Sequence, residues 1–577
     1  MIGLLIIISS LLIPFIPFKL LRKIYFLLIP VFVFLFLISI SKGFFGEIPI
    51  EWKFYFLNYE LTCRIDKLSL VFAYVFTIIA VCANIYSIHI KNDLEHVTAM
   101  IYYGSTIGAV FAGDLISLYI FWKIMTISAV FLIWFRGTRA ARSAGFRYLI
   151  WHVISGSCLL AGIVLHVQNT GSIEFDNFTI FMDSESFPYL LILLGFMINA
   201  AVIPFHSWLP DSYPEASITG AIYMTAFTTK CAVYALARAF PGLEILAWLG
   251  AVMAMYGVIF AMMVNDGRRL LSYHIVSQLG YMVCGIGLGT SLAINGAVSL
   301  AFGNVIYKGL LFMGMGAVIV ATGRSKFTEL GGLYKYMRST FYLYMIGAFS
   351  IAGFPLFAGF VCKTMTIHAS AELNLPIIFI LLEGAAIGTH LCIGLKLPWN
   401  VWFSREKPVE ITYTGVPRNM LVAMGLAAFL CIFFGTYPGY KILYDLLPYS
   451  VEFTPYEPPK VLNTLQFFTF VSIAFFVYRE KYKGVAATIL DTDWFGRILG
   501  NKIIRFSEVQ LVDLARKLDK SSSLFARKVK VLFTTPEAVF KQSTSGGRSG
   551  SELLSSGIWL LIVLLLMLVY LTYLILV

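Results

Sequence analysis

The chain has 577 residues, 59% of them apolar, 16% aromatic and 13% charged, with a formal net charge of +12. A soluble domain carries about 25% charged residues, and here the apolar excess falls in blocks of about 20 residues, the length a helix needs to cross a bilayer. These features exclude a soluble enzyme, a disulfide-stapled secreted protein and a disordered tail, and identify an all-α polytopic membrane protein.

In chain order, sixteen spans are predicted near 2–18, 24–41, 68–90, 97–113, 115–135, 147–167, 187–205, 217–237, 244–264, 270–288, 295–320, 341–368, 374–396, 418–436, 461–478 and 556–577. The first lacks a basic flank and a small-residue cleavage site, so it reads as a retained span and not a signal peptide. Loops after odd spans hold Lys19, Arg22 and Lys23; Arg136, Arg139, Arg142 and Arg147; Arg268 and Arg269; Arg324, Lys326, Lys335 and Arg338; Arg405 and Lys407. Loops after even spans are neutral or acidic, as the stretches 42–67 and 168–187 show. The positive-inside rule then puts the amino terminus outside and the odd loops in the cytoplasm of a prokaryotic cell. The basic excess therefore reads as topology and anionic headgroups, with no nucleic-acid partner. The cysteines are scattered without a CxxC spacing, so neither a disulfide framework nor an iron–sulfur site is expected.

Residues 479–555 differ from the rest. They are basic, and Leu499, Ile503, Phe506, Val509, Leu514 and Leu518 recur at helical spacing, which predicts an amphipathic strap on the cytoplasmic face. A Ser/Gly linker then leads into the final span at 556–577. The expected segments are 1–96, 97–240, 241–400, 401–478, 479–555 and 556–577.

Ionisable residues inside spans carry the function. Each costs about 2.5–3.5 kcal/mol at a span centre, so each needs a reason. Lys123, Lys230, Lys308 and Lys363 lie in spans, as does Glu383, with His390 beside it; His274 begins another. Burial disfavours the charged form of a lysine, which suits a chain of lysines to proton relay. Lys396, at a span end, is expected to snorkel to the interface. His152 and His206 read as packing or loop residues.

Pro204 and Pro355 interrupt two spans. Broken helices survive in a bilayer only when buried in protein or lining a water-filled cavity, and paired breaks mark a transport site. Their spacing of 151 residues carries Lys123 to His274 and Lys230 close to Glu383. It predicts two inverted five-span repeats near 97–237 and 244–396. His152 and His166 on one span would allow a haem, but a second such helix is needed, and His89 and His96 are only seven residues apart with the rest dispersed. No GxxxxGK[ST] phosphate loop and no dinucleotide fingerprint is present. No cofactor and no metal site is expected.

The segments PFHSWLPD at 204–211, LLSYHIVSQLGYM at 270–282, YKGLLFMGMGA at 307–317, LGGL at 330–333 and AGFPLFAGFVCK at 352–363 resemble the antiporter-like membrane subunits. That family is shared by Mrp-type multisubunit cation/proton antiporters, respiratory complex I and membrane-bound hydrogenases. The resemblance covers about residues 65–440. It implies a core of about 14 helices with two inverted five-helix repeats, each with a broken helix, to which this chain adds the amphipathic segment and extra spans.

It also implies a proton path along Lys230, as the eighth-helix lysine, Lys308, as the lysine of an HxxxK pattern, His274, Lys363 and Glu383. Three positions depart from the family pattern. Lys123 stands where the family has the Glu of FWE, Asn199 where its partner lysine is expected, and Asn304 where the histidine of HxxxK is expected. With Lys123 facing Asn199 no ion pair forms there, so the amino-terminal half is not expected to run the family's usual cycle.

The implied partners are other hydrophobic subunits of one complex, protons, sodium and the bilayer. The function implied is that of the proton-translocating subunit in a Mrp-type sodium/proton antiporter. The alternatives are a proton-pumping subunit of a complex I-like or hydrogenase-like redox complex, whose redox centres belong to its partners, and a non-conducting structural subunit.

Overall fold

The structure is a computed structural model that describes residues 2–56, 59–178, 186–404, 413, 415–485, 490–492, 494 and 502. The chain divides into two compact units, Met1–Phe495 and Gly496–Val577. The first holds everything described below. Strap positions Leu499, Ile503, Phe506, Val509, Leu514 and Leu518, the 556–577 span, and Arg405 and Lys407 lie outside the described residues.

Helices occupy the positions of the first fifteen expected spans. They begin with α1 (Ile2–Leu11), α2 (Lys19–Ser41), α3 (Lys67–Ser87), α4 (Asp93–Val110), α5 (Leu115–Trp134), α6 (Arg139–Thr170) and α7 (Phe187–Asn199). Next come the short α8 (Trp208–Ser212) and α9 (Gly220–Ala226), α10 (Thr228–Ala239), α11 (Glu244–Met263), α12 (Gly267–Leu288) and α13 (Ser291–Thr322). Then follow α14 (Arg338–Ala352), α15 (Ala358–Glu372), α16 (Pro376–Thr389), α17 (Arg418–Phe433), α18 (Gly439–Leu446) and α19 (Pro458–Tyr478). Beyond α16 the helix widens to π-helical turns at His390–Lys396 and Trp399–Phe403. Among the described residues, eight helices are long and apolar enough to cross a membrane unaided. Several others are halves of broken spans.

The stretch 42–67, expected as a loop, holds a hairpin of β1 (Ile50–Phe56) and β2 (Tyr59–Ile65), paired antiparallel with Ile50 opposite Ile65. Its signal is legible, since Ile50, Trp52, Phe54 and Phe56 alternate with Glu51, Lys53 and Tyr55. Asp114 ties the hairpin to the core: it caps α5 by accepting from Ser117 N at 2.7 Å and accepts from Thr62 N at 2.8 Å.

Two inverted repeats follow from local rules used twice. Asp114 caps α5 and Asp266 caps α12, each bonding the amide three residues on. Thr138 caps α6 and Thr290 caps α13 in the same way. The helices α6 and α13 each have 32 residues, and left-handed glycines, Gly171 and Gly323, end both. Single backbone bridges join Asp114 to Glu174 and Asp266 to Lys326. All these pairs are 152 residues apart, one more than the proline spacing, because the breaks differ in length: Ala200–Ser207 in the first repeat, Gly353–Phe357 in the second. The corrected register pairs Lys123 with Ile275, and His274 with Trp122.

Packing between α11 and α12 relies on small residues, as in membrane helix pairs where backbones must approach closely. A Cβ on Gly250 would come within 2.3 Å of Cys284 N, and one on Gly280 within 2.4 Å of Ala254 N. The outer surface is apolar: Phe32, Ile127, Ile150, Ile380, Val422 and Phe470 are exposed. Inside the spans Lys230, His274, Lys308 and Lys363 are buried.

Candidate proton path

Both expected breaks are present. In the first, α7 stops at Asn199 and Ala201 adopts φ 52 before Pro204. In the second, α14 stops at Ala352, Gly353 adopts φ 90 and Leu356, after Pro355, adopts φ 75. A non-glycine residue in the left-handed region costs energy and persists only where its surroundings impose it, a pattern that clusters at functional sites.

Of the lysines, Lys363 sits at the second of these interruptions, while Lys230 and Lys308 are held elsewhere in the helix core. Lys230 Nζ donates to Thr225 O at 2.7 Å, across the discontinuity at Phe227 between α9 and α10. Lys308 Nζ, on α13, donates to Leu271 O of α12 at 2.9 Å. Lys363 Nζ donates to Ile351 O at 2.8 Å and Ala352 O at 3.4 Å, the carbonyls that end α14. A half-helix carboxyl end carries partial negative charge and free carbonyls, so an ammonium there is favoured. Lys230 and Lys308 are fully buried and Lys363 is 2% exposed.

Glu383, on α16, lines one small pocket of about 40 Å³ with Lys363, Gly353 and Thr464. That is room for a water. His274 is fully buried, neither ring nitrogen has a hydrogen-bond partner, and it feels the charges of Lys308, Lys363 and Lys396. Asn304 Nδ2 donates to Tyr307 Oη at 3.2 Å, and Tyr307 donates to Gln278 Oε1 at 3.0 Å. Tyr281 donates to Leu382 O, and its ring lies 5.2 Å from Lys363 Nζ. Sequence reasoning missed Gln278, Tyr281 and Tyr307, because polar residues at helical spacing look the same whether they face one another or not.

In the first repeat Lys123 and Asn199 are not hydrogen-bonded to each other: both amide atoms of Asn199 are buried without a partner, and the Lys123 ammonium lies against α6 at Gly156. Lys396 does not snorkel. It is 3% exposed, and its Nζ caps the end of α11 by donating to Met262 O and, at 3.3 Å, to Val264 O. The widened helix after Thr389 carries it there. His390 Nε2 pairs with Ser472 Oγ at 3.1 Å, and its ring stacks on Phe468.

A further cluster was invisible in the sequence. His206, in the first break, lies 3.3 Å from Asp491, which also accepts from the hydroxyls of Tyr256 on α11 and Tyr273 on α12. Asp491 follows the last described membrane helix and joins both repeats. Burial alone would raise the Asp491 carboxyl, but the charge and hydrogen bond of His206 and the two tyrosine hydroxyls outweigh it and hold it well below the usual range. A depressed folded pKa adds stability above the unfolded value of about 4 and loses it as pH falls through the folded one. Asp491→Asn is therefore expected to lower the melting temperature of the detergent-solubilised protein. Its gap to wild type should hold from neutral pH down to about pH 4 and close only below that. A gap that closed on the way from pH 7 to pH 5 would show that the carboxylate titrates there.

The family described as NADH:quinone oxidoreductase/Mrp antiporter, transmembrane, matches residues 112–388, which contain both breaks and every lysine of the row. An uncharacterized protein of Methanocaldococcus jannaschii is 30% identical over 367 residues, 60% of this chain and 76% of that one. The chain belongs to the antiporter-like membrane subunit family. One of the Na(+)/H(+) antiporter subunits of Alkalihalophilus pseudofirmus is 29% identical over 484 residues, 74% of this chain and 60% of that relative. The chain thus spans about three-fifths of the length of that antiporter protein. A chain in the structure of the membrane-bound sulfane sulfur reductase, an archaeal respiratory membrane complex, has the same fold. The TM-score is 0.71 at 22% identity, covering 98% of this chain and 99% of that one.

Proposed function

We propose that this chain is the proton-translocating membrane subunit of a multisubunit sodium/proton antiporter of the Mrp type. The observation that carries the reading is the row Lys230, Lys308 and Lys363, buried in the helix core and each donating to backbone carbonyls. A lysine held by a carboxylate is locked in its charged form. One held by a carbonyl keeps that bond whether it is an ammonium or a neutral amine, so it can accept and release a proton in place. Proton transfer along such a row needs no cofactor.

Sodium as the exchanged cation is supported by the likeness to the Na(+)/H(+) antiporter protein of Alkalihalophilus pseudofirmus. The partners in this reading are other membrane subunits and the bilayer of a prokaryotic cell, with the amino terminus outside and the basic loops cytoplasmic. The repeats at 97–240 and 241–400 carry transport, and the flanking segments serve assembly.

The test is sodium-induced collapse of a pH gradient in everted vesicles holding the complete complex. Lys308→Leu is expected to slow the collapse by about a hundredfold. Equal collapse in variant and wild type would show that protons cross elsewhere and leave a structural role. A second reading, a redox-linked pump, is favoured by the match over nearly the whole length to a chain of a respiratory complex. It predicts a gradient built on adding an electron donor, with no response to sodium.

A further inference from the structure

The repeat register exposes an exchange of residues in the first repeat. At a spacing of 152, the counterpart of Lys308 on α13 is Gly156 on α6, and the counterpart of Asn304 is His152. The counterpart of Lys123 on α5 is Ile275 on α12, and that of Trp122 is His274. The second repeat thus has its histidine on the first helix of the pair and its lysine on the second. The first repeat has the lysine on α5 and the histidine on α6.

The lysine side chains bridge these helix pairs in opposite directions. Lys308 reaches from α13 to Leu271 O on α12. Lys123 reaches from α5 to α6, where a Cβ on residue 156 would lie 1.6 Å from its Nζ, and its ammonium is 5.3 Å from the ring of Tyr119, the counterpart of Leu271. Gly156 is therefore the residue that admits this ammonium; any side chain there would displace it.

His152 completes the pair. It lies one turn before Gly156, on the same face of α6, and feels the charge of Lys123. It is 1% exposed, and its Nδ1 lies 2.9 Å from Tyr148 O, which assigns the proton to Nδ1 and leaves Nε2, buried without a partner, as the free base. Its ring stacks on Tyr148 at 3.8 Å. Tyr148 Oη lies 3.3 Å from Thr228 Oγ1, which also meets Tyr102 Oη at 2.5 Å, two residues before Lys230. Tyr148 thus lies between His152 and Thr228, which stands on the same helix as Lys230.

We infer that Lys123 and His152 are a proton-carrying pair of the first repeat, the counterpart of Lys308 and His274 with the two residue types exchanged between helices. This rests on the proton-translocating reading above. It supplies the first repeat with a site that uses no carboxylate, in place of the Glu–Lys pair that Lys123 and Asn199 replace.

The experiment moves the lysine of the first repeat to the position it holds in the second and leaves His152 in place. Lys123→Ile copies Ile275, and Gly156→Lys copies Lys308. The three atoms nearest a Cβ at 156 all belong to Lys123, so the space opens once that side chain is replaced. Proton uptake driven by a membrane potential is measured in liposomes holding the complete complex, with and without sodium. Lys123→Ile is expected to cut uptake by about tenfold, and adding Gly156→Lys to regain most of it, with the yield of assembled complex unchanged. A mere packing role predicts that Lys123→Ile, apolar and bulky, is harmless, and that result overturns the pair. An assembled double variant that stays as slow as the single one overturns the exchange. Loss of the sodium response in wild type, with uptake still falling and recovering across the variants, would sink the antiporter reading and leave the pair standing.

Discussion

Lys363→Ala is expected to slow sodium-driven proton exchange by the complete complex about a hundredfold, the scale of a lost acid–base group. The reason lies in the second break. Ile351 O and Ala352 O end α14 and receive the Lys363 ammonium, while α15 begins so close by that a Cβ on Gly359 would lie 1.6 Å from Ser350 O. Lys363 is thus held at the interruption with Glu383 across a pocket large enough for a water. Glu383→Gln keeps the shape and removes the acid, and is expected to slow exchange by about tenfold. If the two act as one relay, the double variant is no slower than Lys363→Ala alone, because groups in one network are not additive. The measurement is the rate at which a sodium pulse collapses the pH gradient of everted vesicles. Multiplying rather than saturating losses would separate the two residues into independent steps.

A large loss of stability is expected from Gly280→Val. Its Cβ would lie 2.4 Å from Ala254 N and 2.6 Å from Gly250 O, which are backbone atoms that no rotamer change can move. The helices α11 and α12 must separate, and their contact brings the start of the second repeat into register with His274 and Gln278. The cost is on the order of 3 kcal/mol or more, typical of an overpacked core. Gly425→Val is the control, since nothing lies within 4 Å of a Cβ there. Thermal unfolding in detergent is expected to show a large drop for the first and almost none for the second. Equal drops would show that the cost is loss of glycine itself rather than the helix contact.

Much of this architecture is legible from local features. Hydropathy blocks and basic loops mark the spans, and Pro204 and Pro355 mark the breaks, because proline removes a donor wherever it stands. The lysines of the row stand out because a charge within an apolar block has few explanations. The hairpin is legible too, in an alternation of period two between two helical spans. Lys396 departs from expectation because proximity to a span end says nothing about which way a side chain runs. The widened helix after Thr389 turns it inward to the carbonyls of α11.

What the sequence determines by itself is a membrane protein of two inverted repeats with a lysine row, since span length, helix capping and chain breaks are properties of neighbouring residues. Only the tertiary structure decides that Asp491 closes on His206, that the repeats run in a register of 152, and that Lys123 lies over Gly156. Those facts depend on which faces of distant helices meet. No periodicity within a single helix specifies that, because it is set by side-chain volumes on both partners at once.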